Sequence, residues 1–579
     1  MFGSLRFLPS KISKKLLSFV KNDKAYSKDY VLLSIRKEVE KIIQNKTYKS
    51  RPKIMYGPTF SLFEPCQVYD FLFSQSLVLR GAEIVPVSMG NLIENGESSF
   101  FGGVWGKFSD DPSYNKIQEE KNYKQYVSSE GKLWNEWSGT SPVMLSDYLN
   151  DKDIKRISDI VAGYSLDNYK QWSYDGLPVG EWALDVLRNN YTCVNERLIK
   201  DYKRKLKELL FNVITCVESL KRVVDGIKPD IIISNDSFYY PWSILEKLAQ
   251  RKFIPFYSNW VPVNRKGASA CAMGGAAMGI NLKDPWVKWK QMSLSTKEER
   301  FVDGHLNKRK KGGGMVINTA EPSENNPKIN NENISNENIN YEKPTALLVS
   351  NIIWDLAALN KDVQFSSMMD WIFEVVRFFE KNSQWQLIIK PHPAEENQYL
   401  PLTKQRIKGC ILDEFKSLPK NIFLLDATTN LTVYDFFDYI KMGLVYTSTS
   451  GLELACNGIP VLTSAKAPYQ GKGFTYDTQN KDEYFSTLEL LFKSNMALEN
   501  KEKYSKLAKK FFLLQNFHYY MQIGFFDYFV GKKDGLKLRV SGAKDLLPSA
   551  NLELDYLCDS ILNKLPIVSE DRWPPFNQI

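Results

Sequence analysis

The sequence predicts an α/β chain of two Rossmann-like halves, each a mostly parallel sheet covered by helices. Three observations carry that prediction. Short Ile, Leu and Val runs alternate with helix-length segments, which is the spacing of parallel strands joined by crossovers. The alternation stops at an Asn/Glu-rich tract and then starts again. And 579 residues are too many for one ordinary core.

The elements follow in order. Residues 53–56 read as a strand, 66–80 as a helix stopped by Gly81, and 83–87 as the next strand. Residues 96–190, rich in Trp, Tyr, Ser and Asp, read as an irregular, partly helical insertion. A long helix is expected at about 194–225, a strand at 230–234, a helix at 241–251 and a strand at 253–257. Lys308-Arg309-Lys310-Lys311, three glycines and an Asn/Glu tract then form a stretch that has little to bury. Beyond Pro344 strands are predicted at 346–350, 387–389, 422–425, 443–446 and 459–462. Met369, Ile372, Phe373, Val376 and Phe379 keep the helical period between the first two of these. Residues 500–530 read as helical and able to cross back toward the first half. The expected division is a basic N-terminal helical segment (1–50), an N-terminal Rossmann-like domain with an insertion on the acceptor side (51–304), a linker (305–343) and a C-terminal nucleotide-binding domain with terminal helices (344–579).

Composition narrows the classes. Hydrophobic residues make up 43% and charged residues 25%, as in globular proteins, and no stretch has the length and apolarity of a membrane span. A net charge of +9 is too diffuse for a nucleic-acid binder. The 7 cysteines are scattered, with no CxxC pair, which argues against a zinc knuckle or a disulfide framework and fits a cytoplasmic setting. Residues 1–24 hold six Lys or Arg against Asp23, with Ile12, Leu16, Phe19 and Val20 on one helical face. Peripheral contact with the inner face of the plasma membrane is one expectation for this segment; a solvated terminus is the other.

Chemistry concentrates in the second half. Lys390-Pro391-His392-Pro393 follows an apolar strand and holds one of only 3 histidines. The prolines restrict the backbone and present the ring at a strand end, where ligands of open α/β sheets bind. A cationic His392 beside Lys390 would pair with a phosphate; a histidine satisfied within a turn is the structural alternative. Thr447-Ser448-Thr449-Ser450-Gly451 follows the strand at 443–446 and opens a helix. Ser448, Thr449 and Ser450 supply hydroxyls and free N–H groups for an anion, and Gly451 would admit close approach; the alternative is an ordinary helix cap. Glu453 would contact ribose or complement the helix. Position 461 is Val, so a Glu-x7-Glu pair is absent. Tyr469 and Lys472, among glycines, would close over the ligand. In the first half Glu64, Asp175 and Asp236 are the candidate bases for an acceptor hydroxyl, although a single loop carboxylate is usually a turn or cap residue. No Asp-x-Asp stands out near a strand end and no His/Cys cluster offers a metal site, so no metal or cofactor is expected beyond a nucleotide-sugar co-substrate.

Two such halves facing across a cleft form the GT-B plan. Lys390-Pro391-His392-Pro393-Ala394-Glu395, Asn351-Ile352-Ile353-Trp354-Asp355, the Thr447 to Glu453 segment and the Tyr469 to Thr475 segment resemble the bacterial capsule polysaccharide biosynthesis glycosyltransferases, which include Kdo transferases. They are also similar to the HP and Ser/Thr motifs of bacterial sialyltransferases. The resemblance covers about 345–485 and more loosely 53–87 and 172–262. It implies a metal-independent glycosyltransferase, a CMP-linked donor whose phosphate meets His392, Ser448, Thr449 and Ser450, and a saccharide or lipid-linked acceptor. A polyol-phosphate transferase using a CDP-alcohol, a sugar-nucleotide epimerase and a non-catalytic assembly subunit remain open on the same fold.

Overall fold

The computed structural model describes residues 27–48, 51–60, 63–90, 92, 130–235, 237–261, 268–310, 339–340, 342–355, 358–396, 402–429, 431–494, 500–528 and 535–575. The basic segment at 1–24, Asp236 and most of the linker lie outside these residues.

Two six-stranded sheets form the frame. The first contains β1 (Lys53–Tyr56), β2 (Glu83–Ser88), β3 (Val143–Met144), β4 (Ile231–Asn235), β5 (Phe256–Trp260) and β6 (Ala270–Met273), in the order β3-β2-β1-β4-β5-β6. Only the β5–β6 pairing is antiparallel. The second contains β7 (Thr345–Val349), β8 (Gln386–Lys390), β9 (Ile422–Leu424), β10 (Met442–Val445), β11 (Val461–Thr463) and β12 (Tyr476–Asp477), in the order β12-β11-β10-β7-β8-β9, all parallel. β4, β7 and β8 are buried along their whole length. Strands covered on both faces by helices need apolar residues at every position, which is why they read as unbroken Ile/Leu/Val runs. In both sheets the chain builds outward from the first strand, then returns to build on its other side. The reversal leaves a crevice at the strands' carboxyl ends, between β1 and β4 and between β7 and β10.

Helices follow the same logic. α1 (Lys28–Gln44) is capped by the Ser27 side chain, which accepts from Tyr30 N. α2 (Glu64–Leu79) is buried on nearly every side. α3 (Val179–Asn190) packs along the 26-residue α4 (Tyr202–Ile227), whose Leu206, Leu209, Leu210, Val213, Val217, Leu220 and Val224 form one apolar stripe. α5 (Trp242–Arg251) joins β4 to β5, and α6 (Thr296–Lys310) runs into the linker. In the second half, α7 (Met368–Lys381) starts at Ser367, whose side chain accepts from Asp370 N at 3.1 Å. α8 (Ser450–Cys456) is two turns long and packs against α9 (Lys501–Leu513). Within the insertion, the described residues 130–190 supply β3, α3 and a helix at Asp151–Gly163.

The expected boundaries need two corrections. Residues before the linker belong partly to the second core: Trp286, Trp289, Val302 and Leu306 pack with Val445, Leu454 and Phe511. Trp286 Nε1 donates to Lys472 O at 3.1 Å and Trp289 Nε1 to Lys510 O at 2.9 Å. Conversely, the chain beyond about 520 returns to the first core. Met521, Phe525, Leu554, Leu557 and Ile561, the last three on α10 (Leu552–Leu562), share a cluster with Leu32, Tyr56 and Phe71. Arg80 pins this return by an ion pair to Asp555 and a 2.9 Å bond to Leu546 O. The antiparallel pair β13 (Phe526–Tyr528) and β14 (Leu536–Leu538) lies in it, and β13 falls at the end of the 500–530 stretch expected to be helical.

The halves are also stitched at one end of the cleft. Gln405 Oε1 accepts from Val194 N and Asn195 N at 3.0 Å, and Thr192 Oγ1 accepts from Lys404 N at 2.9 Å while donating to Leu402 O at 3.0 Å.

Candidate donor site at the second sheet's switch point

The three strand ends that flank the second crevice are tied together. Beyond β7, Ser350 Oγ accepts from His392 N at 3.1 Å, joining β7 to the Lys390-Pro391-His392-Pro393 turn after β8. Its neighbour Asn351 uses Oδ1 to accept from Thr447 N at 3.1 Å, joining β7 to the hydroxyl turn after β10. Adjacent residues of one strand end thus hold both motifs, about 55 residues apart in sequence, against a shared centre.

His392 is half-buried, and Ala394 N donates to its Nδ1 at 3.1 Å. Pro393 has no N–H, so the first free donor after the ring is Ala394. A nitrogen that accepts cannot carry the proton, so the neutral ring holds it on Nε2. Burial, and then the charge of Lys390, push the His392 pKa down to about 4. This corrects the expectation of an imidazolium: at neutral pH His392 offers a fixed Nε2–H donor, not a charge. The cation is Lys390. It is 4% exposed, and among the described residues its amine has neither an ion-pair nor a hydrogen-bond partner. Burial lowers its pKa to about 8, against the pull of Asp435, so it remains largely charged at neutral pH. Lys390 and His392 stand two residues apart, on one side of the extended chain. A buried, unneutralised ammonium is costly unless an anion joins it.

The hydroxyl turn is built by packing. Ser448 is 7% exposed and its carbonyl accepts from Tyr469 Oη at 2.5 Å; its Oγ accepts from Ser450 N at 3.3 Å. Thr449 is exposed, Ser450 is half-buried, and the side chain of Thr449, the N-cap residue of α8, makes no capping bond. Gly451 is required by contact: a Cβ there would lie 2.2 Å from Tyr469 Oη. Gly451 therefore admits a tyrosine, not a ligand, and Tyr469, 2% exposed, is a buried strut for the turn.

Two further residues have partners that the sequence does not announce. Glu453, 4% exposed, pairs with Arg309 of α6 at 2.7 Å and accepts from Tyr434 Oη at 2.6 Å. Its carboxylate is committed to anchoring α6 on α8, which corrects the ribose expectation. Lys472 bonds Asn281 Oδ1 and stands 5.6 Å from the Phe511 ring. Burial lowers its pKa to about 8, and its place is at the joint with the segment following β6.

The first-half candidates do not assemble. Glu64 is exposed at the first turn of α2 and paired with Lys28. Asp175 pairs with Lys221 at 2.8 Å and Arg251 at 3.7 Å, and the Lys221 bond holds its pKa below the ordinary value. Both partners lie near the carboxyl ends of α4 and α5. Those helices run antiparallel to the strands, so Asp175 sits at the sheet's amino edge, away from the crevice. Asp236 lies outside the described residues.

One buried acid went unanticipated. Asp70, on α2 and 1% exposed, accepts from Tyr56 Oη at 2.9 Å, with the Thr59 and Asn235 side chains beside it. Asn259 Nδ2 lies 3.4 Å from the same Tyr56 Oη, Asn259 Oδ1 accepts from Asn235 Nδ2 at 3.3 Å, and Asn235 Oδ1 accepts from Phe60 N at 2.6 Å. This polar cluster underlies the β1–β4 crevice, and burial pushes the Asp70 pKa up to about 7. The available signal was an acid between Tyr69 and Phe71 in the middle of a helix buried on nearly every side.

Among the described residues, no helix is long and apolar enough to cross a membrane. Residues 304–496 match the model of a family described as Capsule polysaccharide biosynthesis protein. No curated protein matches the chain at a significant level. Solved structures that match the chain include the beta Kdo 2,4 transferase of Thermosulfurimonas dismutans KpsC, at 11% identity over 44% of this chain and 75% of that one, with a TM-score of 0.28. The beta Kdo 2,7 transferase of the same protein matches at 14% identity over 57% and 87%, with a TM-score of 0.29. A UDP-GlcNAc 2-epimerase from Neisseria meningitidis, bound to UDP-GlcNAc, matches at 10% identity over 79% and 94%, with a TM-score of 0.23. The fold assignment rests on the strand order of the chain itself, two α/β sheets of the same reversed order. Across residues 304–496, which carry both donor-site motifs, this chain is similar to the capsule polysaccharide biosynthesis proteins.

Proposed function

We propose that the protein is a glycosyltransferase of surface polysaccharide assembly, moving a sugar from a nucleotide-activated donor, CMP-linked by preference, to a saccharide or lipid-linked acceptor. One observation carries the reading. A buried ammonium with no ion-pair or hydrogen-bond partner among the described residues, Lys390, and a fixed Nε2–H donor, His392, stand at the switch point of the second sheet beside the hydroxyl-rich turn at 447–450. That set suits an anion with several oxygens. The match of residues 304–496 to a capsule biosynthesis family supports a sugar nucleotide over other phosphates.

In this reading Lys390 and His392 stabilise the charge gathering on the departing nucleotide phosphate, and the hydroxyls of Ser448, Thr449 and Ser450 orient it. Groups fixed by Ser350, Asn351 and Tyr469 need no rearrangement as the charge develops. Action at the inner membrane face, with residues 1–24 as the contact, is part of the same proposal.

A thermal-shift panel of CMP, CDP, UDP and GDP tests it. A nucleotide at 100 times its Kd adds about 2.7 kcal/mol of stability. CMP is expected to give the largest shift. A shift by UDP alone would overturn the CMP preference, and no shift by any nucleotide would overturn the donor site.

A further inference from the structure

The acceptor side has an occupant that composition and motifs do not reveal. α3 leads through 191–201 into α4, which runs back antiparallel to β4. The last turns of α3 therefore stand at the carboxyl edge of the first sheet, next to the Thr192–Gln405 stitching. Asp185, one of these residues, is 5% exposed. Asn360, from the loop after β7, donates to Asp185 Oδ2 at 3.0 Å and to Glu181 Oε1 at 3.1 Å. Among the described residues, Asp185 Oδ1 is buried without a hydrogen-bond partner. One turn on, Asn189 Nδ2 donates to Tyr239 Oη, in the loop after β4, at 2.7 Å. In the facing loop, Lys361 Nζ lies 5.5 Å from the Phe238 ring. Asp185 thus sits where the loop leaving the first crevice meets the loop leaving the second.

We propose that Asp185 is the base that takes the proton of the acceptor hydroxyl. The inference rests on the glycosyltransferase reading above. The acceptor oxygen bonds to the anomeric carbon of the donor. The bond from that carbon to the phosphate oxygen breaks, and its electron pair stays on the phosphate, facing Lys390 and His392. The hydroxyl proton passes to Asp185 Oδ1, the oxygen that Asn360 leaves free, once the two loops part to admit the acceptor, and returns to solvent after product leaves. Burial raises the pKa of Asp185 to about 7, with Glu181 pushing the same way and Arg188, Asn360 and Lys361 opposing. A base is most effective when its pKa lies near the working pH.

Asp185→Asn separates this role from a structural one, because an amide oxygen still accepts from Asn360 and keeps the loops joined. The probes are a set of CMP- and UDP-linked sugars with a membrane glycolipid extract as acceptor, read as nucleotide released and sugar transferred. The variant is expected to keep the nucleotide-induced thermal shift of the wild type while transfer falls by about 10²-fold or more. The wild-type rate should fall as pH drops through about 7, and the residual rate of the variant should lack that limb. Transfer by Asp185→Asn within threefold of the wild type, with the acid limb intact, would overturn the base role and leave the donor site standing. If no nucleotide stabilises the wild type, the donor site falls and the base role falls with it.

Discussion

Asn351 Oδ1 accepts from Thr447 N at 3.1 Å, so the end of β7 holds the hydroxyl turn that follows β10. The bond spans the point where strand order reverses, and nothing in the ladder itself fixes the two loops relative to each other. Asn351→Ala removes that acceptor from Thr447 N, at a cost of about 1–3 kcal/mol. Thermal unfolding should show that loss, and nucleotide affinity should fall with it, because the turn loses its register to His392. Unchanged affinity would detach the turn from the ligand.

Arg309 and Glu453 form an ion pair with side chains 12% and 5% exposed. Removing one partner strands a charge in the core, typically at about 3–5 kcal/mol, whereas an apolar pair of similar volume is often tolerated. Arg309→Met should destabilise by that order in denaturant unfolding. The double variant Arg309→Met/Glu453→Leu should recover most of the loss. A double variant no better than the single would mean the charges, not the burial, are required.

Lys390 predicts a pH dependence of binding. Its pKa is lowered to about 8 in the folded protein, so the ammonium is present below that pH and lost above it. An anion binds the charged form, so nucleotide affinity should weaken by up to ~10-fold per unit above pH 8. Lys472 titrates in the same range but is bonded to Asn281. Titration calorimetry at pH 7 and 9 should show the decline in the wild type and in Lys472→Gln, and a flat, weaker profile in Lys390→Gln.

Asp70 predicts a pH dependence of stability with the opposite sense to a salt-bridged acid. Its folded pKa is raised to about 7 from 3.8, so folding takes up a proton between those values and stability declines as pH rises through the window. Relative to the wild type, Asp70→Asn should gain stability from pH 4 to pH 8 by up to ~4 kcal/mol. Parallel unfolding curves at both pH values would show that Asp70 has another partner.

The parallel strands β4, β7, β8 and β10 were legible because burial on both faces leaves an apolar run and no alternation. The same rule hid β3, two residues long, and β6, whose Ala270-Cys271-Ala272-Met273 carries no strand signature. Lys390 and His392 were legible because a charged residue and a histidine between prolines interrupt such a run at its end. Their protonation was not, since it depends on Ala394 N and on depth. Asp175 misled because an Asp-Gly turn says nothing about which edge of the sheet it occupies. Glu453 misled because Arg309 reaches it from 144 residues away, by a packing that no local pattern encodes.

The central claim is that Lys390-Pro391-His392-Pro393 grips a nucleotide phosphate. Calorimetric titration of CMP into the wild type and into His392→Ala tests it most directly. Loss of one hydrogen bond to a charged phosphate costs about 1.5–3 kcal/mol, which is a roughly 10- to 100-fold weaker Kd. Equal affinity of the two proteins for the nucleotide would contradict the account.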